Sequence, residues 1–258
     1  MAYKIAAANI KGGIGKSTTA LNLADQFIKR GLRVLMVDCD PQRNTTTVYR
    51  ARTEGVPTMY EIFCSGYPAR QCIQRTDYGD IIANDPQLIN ADTMVKTGPM
   101  MYKYLKKALA SVENLYDFII FDTPPHNGVL LGNVLFAIDG LIIPIECDLF
   151  GIQGLSDVNQ SIIEFQEDNK GLSVLGILKV KYKKKQNLTR DIEDNLLPKY
   201  AKMMNTKVFD TTIRESVRCK EAITCCMRLS EYAPKSTVET DYSALADEVL
   251  KEVMNHGY

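Results

Sequence analysis

The sequence predicts an α/β fold, a twisted and mainly parallel sheet with helices on both faces, forming a single domain over residues 1–258. Three observations carry this prediction. Short, wholly apolar runs recur along the chain, the pattern of strands buried on both faces. Segments with apolar residues at helical spacing separate them, as crossovers between parallel strands require. The runs also open onto a glycine-rich loop or end in aspartate, placing polar groups where an open α/β sheet keeps its ligand crevice. With 258 residues, 45% of them hydrophobic, the chain can bury a substantial core. No linker-like or low-complexity tract divides it.

The first element is the apolar run from Ile5 to Ile10, a buried strand. Lys11-Gly12-Gly13-Ile14-Gly15-Lys16-Ser17-Thr18 follows, then a helix with Leu21, Leu23, Ala24, Phe27 and Ile28 on one side. Strand, glycine-rich loop and a helix opening on Lys-Ser make a phosphate-binding loop. Its glycines let backbone N–H groups curl around phosphate oxygens, and the helix N-terminus adds its positive dipole end. Lys16 is expected to reach the β- and γ-phosphates of ATP, and the Ser17 hydroxyl to sit on Mg²⁺. The generic pattern wants a glycine at position 10. Ile10 stands there, and a second lysine, Lys11, precedes the Gly-Gly pair.

Gly31 ends that helix, and Arg33 to Asp38 reads as a second buried strand, terminating in Asp38-Cys39-Asp40-Pro41-Gln42. Residues 45–100 carry weaker signals, punctuated by Pro57, Pro68, Pro86 and Pro99. They predict a helix over Met59 to Cys64, a strand over Asp80 to Ala83, and a helix begun by Pro99 with Met101, Tyr104, Leu105 and Leu109 on one side. Tyr116 to Asp122 is a third buried strand. Its terminal carboxylate makes a Walker B element, a second candidate Mg²⁺ ligand. Further strands are expected over Gly140 to Glu146 and Ser173 to Val180, with helices over Gly154 to Glu167, Asp191 to Met204 and Glu239 to Val253. The last helix has an apolar face and a largely acidic one of Asp241, Asp247, Glu248 and Glu252.

The KGGxGKS loop resembles the deviant Walker A loop of the ParA/MinD superfamily of dimerising ATPases. The DCDPQ run is similar to that family's switch I, and Asp122-Thr123-Pro124-Pro125 to its switch II. The resemblance spans nearly the whole chain and is looser in the C-terminal third. It implies that Lys11 crosses a dimer interface to the partner's nucleotide, that Asp40 orients the attacking water, and that Asp38 helps hold the Mg²⁺ shell alongside Ser17 and Asp122. Lys11, Lys16 and Asp40 are then the catalytic set, with residues 11–18 holding ATP. Two positions depart from the family pattern. Arg43 stands where glycine is usual, and His126 stands where a small polar residue is usual. His126 could serve as a general base, but by the resemblance Asp40 is better placed.

Within the superfamily, the acidic face of the last helix argues against a membrane-targeting helix, which needs a basic polar face. Ile10 and the absence of an iron–sulfur cysteine motif argue against the membrane and reductase branches. The resemblance therefore implies a ParA/Soj-type DNA-partitioning ATPase: an ATP-dependent homodimer binding double-stranded DNA non-specifically, with a ParB-like centromere-binding activator. With no N-terminal extension for a helix-turn-helix, sequence-specific DNA binding is not expected.

Lys+Arg and Asp+Glu each number 31, so any nucleic-acid contact needs a local patch. Candidates are Lys181, Lys183, Lys184 and Lys185, from a stretch with no acidic residue between Lys170 and Arg190, and Arg214, Arg218 and Lys220. The bland alternative for the lysine run is a solvated loop. The seven cysteines form no C-x-x-C pair, and with two histidines a zinc site is not expected. The N-terminus does not read as a signal peptide, and no apolar run approaches the roughly 20 residues of a membrane span. The expected place is the cytoplasm, on the nucleoid. Two other classes stay open: a metabolic P-loop ligase acting on a small substrate, and a MinD-like or cargo-positioning switch acting through a protein partner.

Overall fold

The computed structural model describes residues 1–95, 98, 100–183 and 192–255. Its centre is an eight-stranded sheet in the order β3-β4-β2-β5-β1-β6-β7-β8. The strands are β1 (Tyr3–Ala7), β2 (Val34–Asp38), β3 (Ile73–Thr76), β4 (Gly79–Ile82), β5 (Phe118–Asp122), β6 (Gly140–Ile145), β7 (Ser173–Tyr182) and β8 (Val208–Arg214). All pair in parallel except β3 with β4, an antiparallel hairpin at one edge. Every residue of β1, β2, β5 and β6 is buried, which is why these runs are apolar throughout rather than alternating.

Alternate side chains of these strands enter two cores. On one face, Tyr3, Ile5, Met36 and Ile120 meet α1 (Lys16–Lys29) and the C-terminal helix Thr237–Asn255. On the other, Ala6, Leu35, Val37 and Phe121 meet α3 (Met59–Ser65), α6 (Tyr104–Leu109), α7 (Val129–Ala137) and α8 (Leu149–Asp168). Three short segments complete the chain order: α2 (Asn44–Val48), α4 (Ala69–Cys72) and α5 (Ala91–Met94).

Several elements differ from the sequence expectation. Hairpin strand β3 was not expected; its residues IQRT are half-exposed and carry no apolar run. α6 begins at Tyr104 rather than at Pro99, which lies outside the described residues. Asn133 of α7 decides this start, accepting from the Leu105 N–H at 3.2 Å and donating to the Met101 carbonyl at 2.8 Å. α8 begins five residues before Gly154, because the Asp148 carboxylate caps it by accepting from the Gly151 N–H. The predicted helix over 191–204 opens as a π-helical turn, Ile192–Leu196, and becomes α-helical only over Leu197–Met203.

The acidic face of the last helix is a docking surface rather than a solvated one. Asp241 holds Arg214, Asp247 holds Arg30, and Glu248 accepts from the Asp210 and Thr211 N–H groups. Among the described residues no helix is long and apolar enough to cross a membrane.

Candidate nucleotide-binding site

β1 ends at Ala7 in the middle of the sheet, and the loop that follows turns twice through left-handed backbone, at Gly13 (φ 74°) and Gly15 (φ 84°). A side chain at either position would be strained. Gly15 is the cap of α1, and no side chain bonds the N–H groups of the first turn. The helix thus presents unsatisfied donors and its positive end to the loop. Asn9 holds the loop's entry, donating to the Pro144 carbonyl at 2.9 Å and accepting from the Lys11 N–H at 3.1 Å. Gly154 lets α8 approach this anchor, since a Cβ there would stand 2.9 Å from Asn9 Oδ1.

The two lysines point in different directions. Lys16 is buried and folds over its own loop, donating to the Lys11 carbonyl at 3.0 Å. Burial holds its pKa below the usual lysine range, while Asp122 and Asp40 pull the other way. Lys11 turns away to the start of α8, where Nζ lies 3.3 Å from Asp148 Oδ2 and 5.8 Å from the Phe150 ring centre.

Asp38 and Asp122 are register partners on neighbouring strands, both fully buried. Burial pushes the Asp38 carboxyl up to about 6, against the lowering effect of hydrogen bonds from Thr46. Burial, and then the Asp38 charge, raise Asp122 well above the carboxylate range. Two such carboxylates side by side call for a cation. The oxygens of Asp38 are engaged: Oδ2 accepts from the Thr46 N–H and hydroxyl at 2.7 and 2.6 Å, and Oδ1 from the Asp40 N–H at 3.0 Å. Asp122 Oδ2 accepts from the Thr45 hydroxyl at 2.7 Å, whereas its buried Oδ1 has no hydrogen-bond partner. Ser17 lies close enough to lower the Asp122 pKa by hydrogen bonding.

A divalent cation fits here through Ser17 and Asp122, with Asp38 adding negative charge and fixing switch I. Among the described residues no three His, Cys, Asp or Glu side chains form a ready-made cage. The donor set therefore suits a magnesium ion that keeps waters and takes phosphate oxygens.

Asp40 is 5% exposed, and its Oδ1 accepts from the Gln42 N–H at 2.9 Å. Burial raises its pKa, and Lys16 and His126 lower it. Arg43, the N-cap of α2, has φ 58°. A left-handed residue suits glycine, which accounts for the departure noted above as a tolerated strain. Arg43→Gly is expected to keep the fold's stability, and Arg43→Val to lower it by about 1–2 kcal/mol. Urea unfolding at constant m-value checks the order.

A cavity of about 280 Å³ opens beside the loop, bounded by residues 12–18, Asp40 and Pro125 on the phosphate side. Its other wall comes from the C-terminal third: Val180, Ile213, Cys219, Ile223 and Tyr242. Neither this wall nor the roles of Thr45 and Thr46 are among the sequence expectations. The Asn44-Thr45-Thr46-Thr47 run directly after switch I marks the place but not the partners.

The expected DNA contacts are mostly engaged in ion pairs. Lys181 meets Glu146 at 2.7 Å, Lys183 meets Glu215 at 2.7 Å, and Arg218 meets Glu221 at 3.1 Å. Arg214 grips Asp241, with Nη2 at 2.6 Å and its N–H at 3.0 Å. Lys220 is exposed and has no ion-pair partner among the described residues. Lys184 and Lys185 lie outside them.

A family model described as an AAA domain matches residues 2–174. The chromosome-partitioning ATPase Soj of Thermus thermophilus is 32% identical over 97% of this chain and 96% of its own length. Cobyrinic acid a,c-diamide synthase from Mycobacterium smegmatis, solved with bound ADP and magnesium, superposes with a TM-score of 0.82 at 26% identity, covering 98% of this chain and 96% of that one. Apo McdA of Cyanothece shares the fold, with a TM-score of 0.84 at 23% identity over 98% and 100% of the two chains. With the glycine loop, the paired aspartates and these relatives together, the chain belongs to the Soj/ParA family of partitioning ATPases.

Proposed function

We propose that this protein is a Mg²⁺-dependent ATP hydrolase that pairs with a second copy when ATP binds, holds duplex DNA without sequence preference and releases it on hydrolysis. Such a cycle serves partition of a plasmid, chromosome or mobile element, in the cytoplasm and on the nucleoid, with a ParB-like centromere-binding protein as activator. The observation that carries the reading is the division of labour between the two lysines. Lys16 already covers the phosphate loop of its own chain. Lys11 is directed outward, to a helix start where Leu149 and Phe150 are 63% and 74% exposed. A cation beside uncovered apolar side chains suits a surface that meets another protein.

In this scheme Lys16 and the loop N–H groups hold the phosphates, and Ser17 and Asp122 hold Mg²⁺, which supplies charge neutralisation at the γ-phosphate. Asp40 orients the water. Its N–H donates to Asp38 and its Oδ1 accepts from the Gln42 N–H, which fixes the carboxylate and leaves Oδ2 to accept from the water. Ser17→Ala is expected to weaken ATP binding about tenfold with Mg²⁺ and hardly at all in EDTA, as read by isothermal titration.

The likeness to the diamide synthase favours a second reading, an ATP-dependent ligase acting on a small acid. Co-sedimentation with random-sequence duplex DNA in ATP, ADP and no nucleotide separates the two. ATP-selective pelleting supports partition. No pelleting under any condition, with turnover stimulated by a small amide donor, supports the ligase.

A further inference from the structure

Outside the nucleotide cavity, a second cationic cluster stands at the far edge of the sheet. The β3–β4 hairpin and the chain after α2 enclose an open groove of about 290 Å³, lined by Arg50, Arg52 and Arg75 with Tyr49 and Tyr78 as its floor. Asp77 is the only acidic residue of the lining.

The three arginines are brought together by deliberate bonding. The Gln74 amide clamps the backbone of Arg52 at both ends, accepting from its N–H and donating to its carbonyl, each at 2.8 Å. This ties the segment carrying Arg50 and Arg52 to the edge strand carrying Arg75. Tyr78 is fixed beneath them: its hydroxyl donates to Glu231 at 2.7 Å, and the Arg228 guanidinium lies 4.3 Å from its ring centre. Arg50 lies 5.8 Å from the same ring.

The clamp positions these guanidiniums without neutralising them. Arg52 has no ion-pair partner among the described residues. The Arg75 side chain is 92% exposed, and its one carboxylate neighbour, Asp80, is 4.0 Å away. Asp80 is itself taken by the Tyr116 hydroxyl at 2.7 Å. Arg50 donates only a long bond of 3.4 Å, to the Cys226 carbonyl. In a chain of zero net charge, three guanidiniums on one groove, two without an ion-pair partner among the described residues and one with a single carboxylate 4.0 Å away, mark a site for anions, and their forked donors suit phosphate oxygens.

The groove is not isolated. Arg50 touches Cys226, Arg228 donates to the Asp77 carbonyl at 3.3 Å, and Tyr78 reaches Glu231. These contacts join the hairpin to the segment that follows the helix Arg218–Thr224, where Lys220 is exposed and unpaired among the described residues. Cations therefore stand on both parts of the chain that these contacts join, a layout that suits a polymer of evenly spaced phosphates better than a compact anion.

We infer that the Arg50–Arg52–Arg75 groove is a second contact for the phosphate backbone of duplex DNA, extending a footprint that starts near Lys220. The inference rests on the DNA-binding reading above.

The test uses the full chain with Asp40→Ala and ATP, and random-sequence duplex titrated with salt. Arg52→Gln with Arg75→Gln is compared with Lys103→Gln with Lys106→Gln, which removes equal charge from α6 and its N-cap. Loss of two phosphate contacts per chain, four in the ATP-bound pair, is expected to flatten the slope of log affinity against log salt by about 3.6, with the α6 pair leaving it unchanged. Turnover without DNA, measured with Asp40 restored, is expected to be unchanged in both pairs, which reports intact folding.

If the parent binds and the arginine pair keeps its slope, the groove inference is overturned while the DNA reading stands. Equal flattening by both pairs reduces the effect to net charge and also overturns it. No binding by the parent removes the DNA reading and the inference together. If poly-glutamate binds the parent but not the arginine variant, while DNA binds both alike, the groove serves an acidic polypeptide and the inference fails.

Discussion

Lys16→Ala is expected to abolish nucleotide binding without unfolding the protein. The ammonium makes charge-assisted hydrogen bonds to two phosphate groups in a buried loop, each worth about 1.5–3 kcal/mol, so affinity should fall by roughly a hundredfold to ten-thousandfold. The sign of the stability effect is separable from this loss. Burial depresses the Lys16 pKa in the folded chain. The unfolded state therefore binds the proton more tightly, and stability rises with pH as the group passes from its folded to its unfolded pKa. Below that range the buried charge is a cost to the fold. Removing it at neutral pH should hold or raise the melting temperature of the nucleotide-free protein. Titration with a fluorescent ATP analogue, alongside thermal unfolding, reads both effects. Unchanged ATP affinity would sink the site assignment.

Lys11→Gln is expected to do the opposite: leave ATP affinity within about threefold and lower turnover by about a thousandfold, the scale of a cation supplied to the transferring phosphate from outside its own loop. The reasoning is geometric, because Lys11 Nζ lies at Asp148 and not at its own glycine loop. Mixing Lys11→Gln with Asp40→Ala makes the point sharply. In a mixed dimer, the Lys11→Gln chain keeps its own Asp40 and receives Lys11 from the partner, so one site of two is complete. Half-restored turnover is the expected result. With mixed dimers demonstrated by crosslinking, no restoration would place both residues in the same site and remove sharing across the interface.

The parts of this molecule that were readable in the sequence are those whose environment is uniform. β1, β2 and β5 are buried at every position, so their apolar runs announced them, and their polar ends announced the site. Edge strand β3 has a mixed environment, and IQRT carries neither an apolar run nor a clean alternation. Other features depend on partners distant in sequence. Asn133 sets the start of α6 from 28 residues away, and Asp241 takes up Arg214 from 27 residues away. Thr45 and Thr46 act through the aspartates they bond, Thr46 also accepting from the Asn84 N–H, and a run of threonines carries no signature of those partners. The wall of Val180, Ile213 and Ile223 is apolar surface like any other until the fold places it opposite the glycine loop.

The strand order has a consequence for the protein's synthesis. β1 leaves the ribosome before either of its pairing partners, β5 and β6: Ala7 lies beside Asp122 on one side and Ile142 on the other. The glycine loop hangs from β1, and its anchor Asn9 waits for Pro144. Until residue 145 has emerged, the loop has only its own local bonds to hold its shape, a delay on the order of 10 s at ordinary translation rates. α1 also lacks its cover until the C-terminal helix arrives to bind Lys29 and Arg30 through Glu239 and Asp247. A nascent chain therefore cannot complete the loop's anchor before β6 is made, and a product that lacks the last helix leaves Lys29 and Arg30 without these partners.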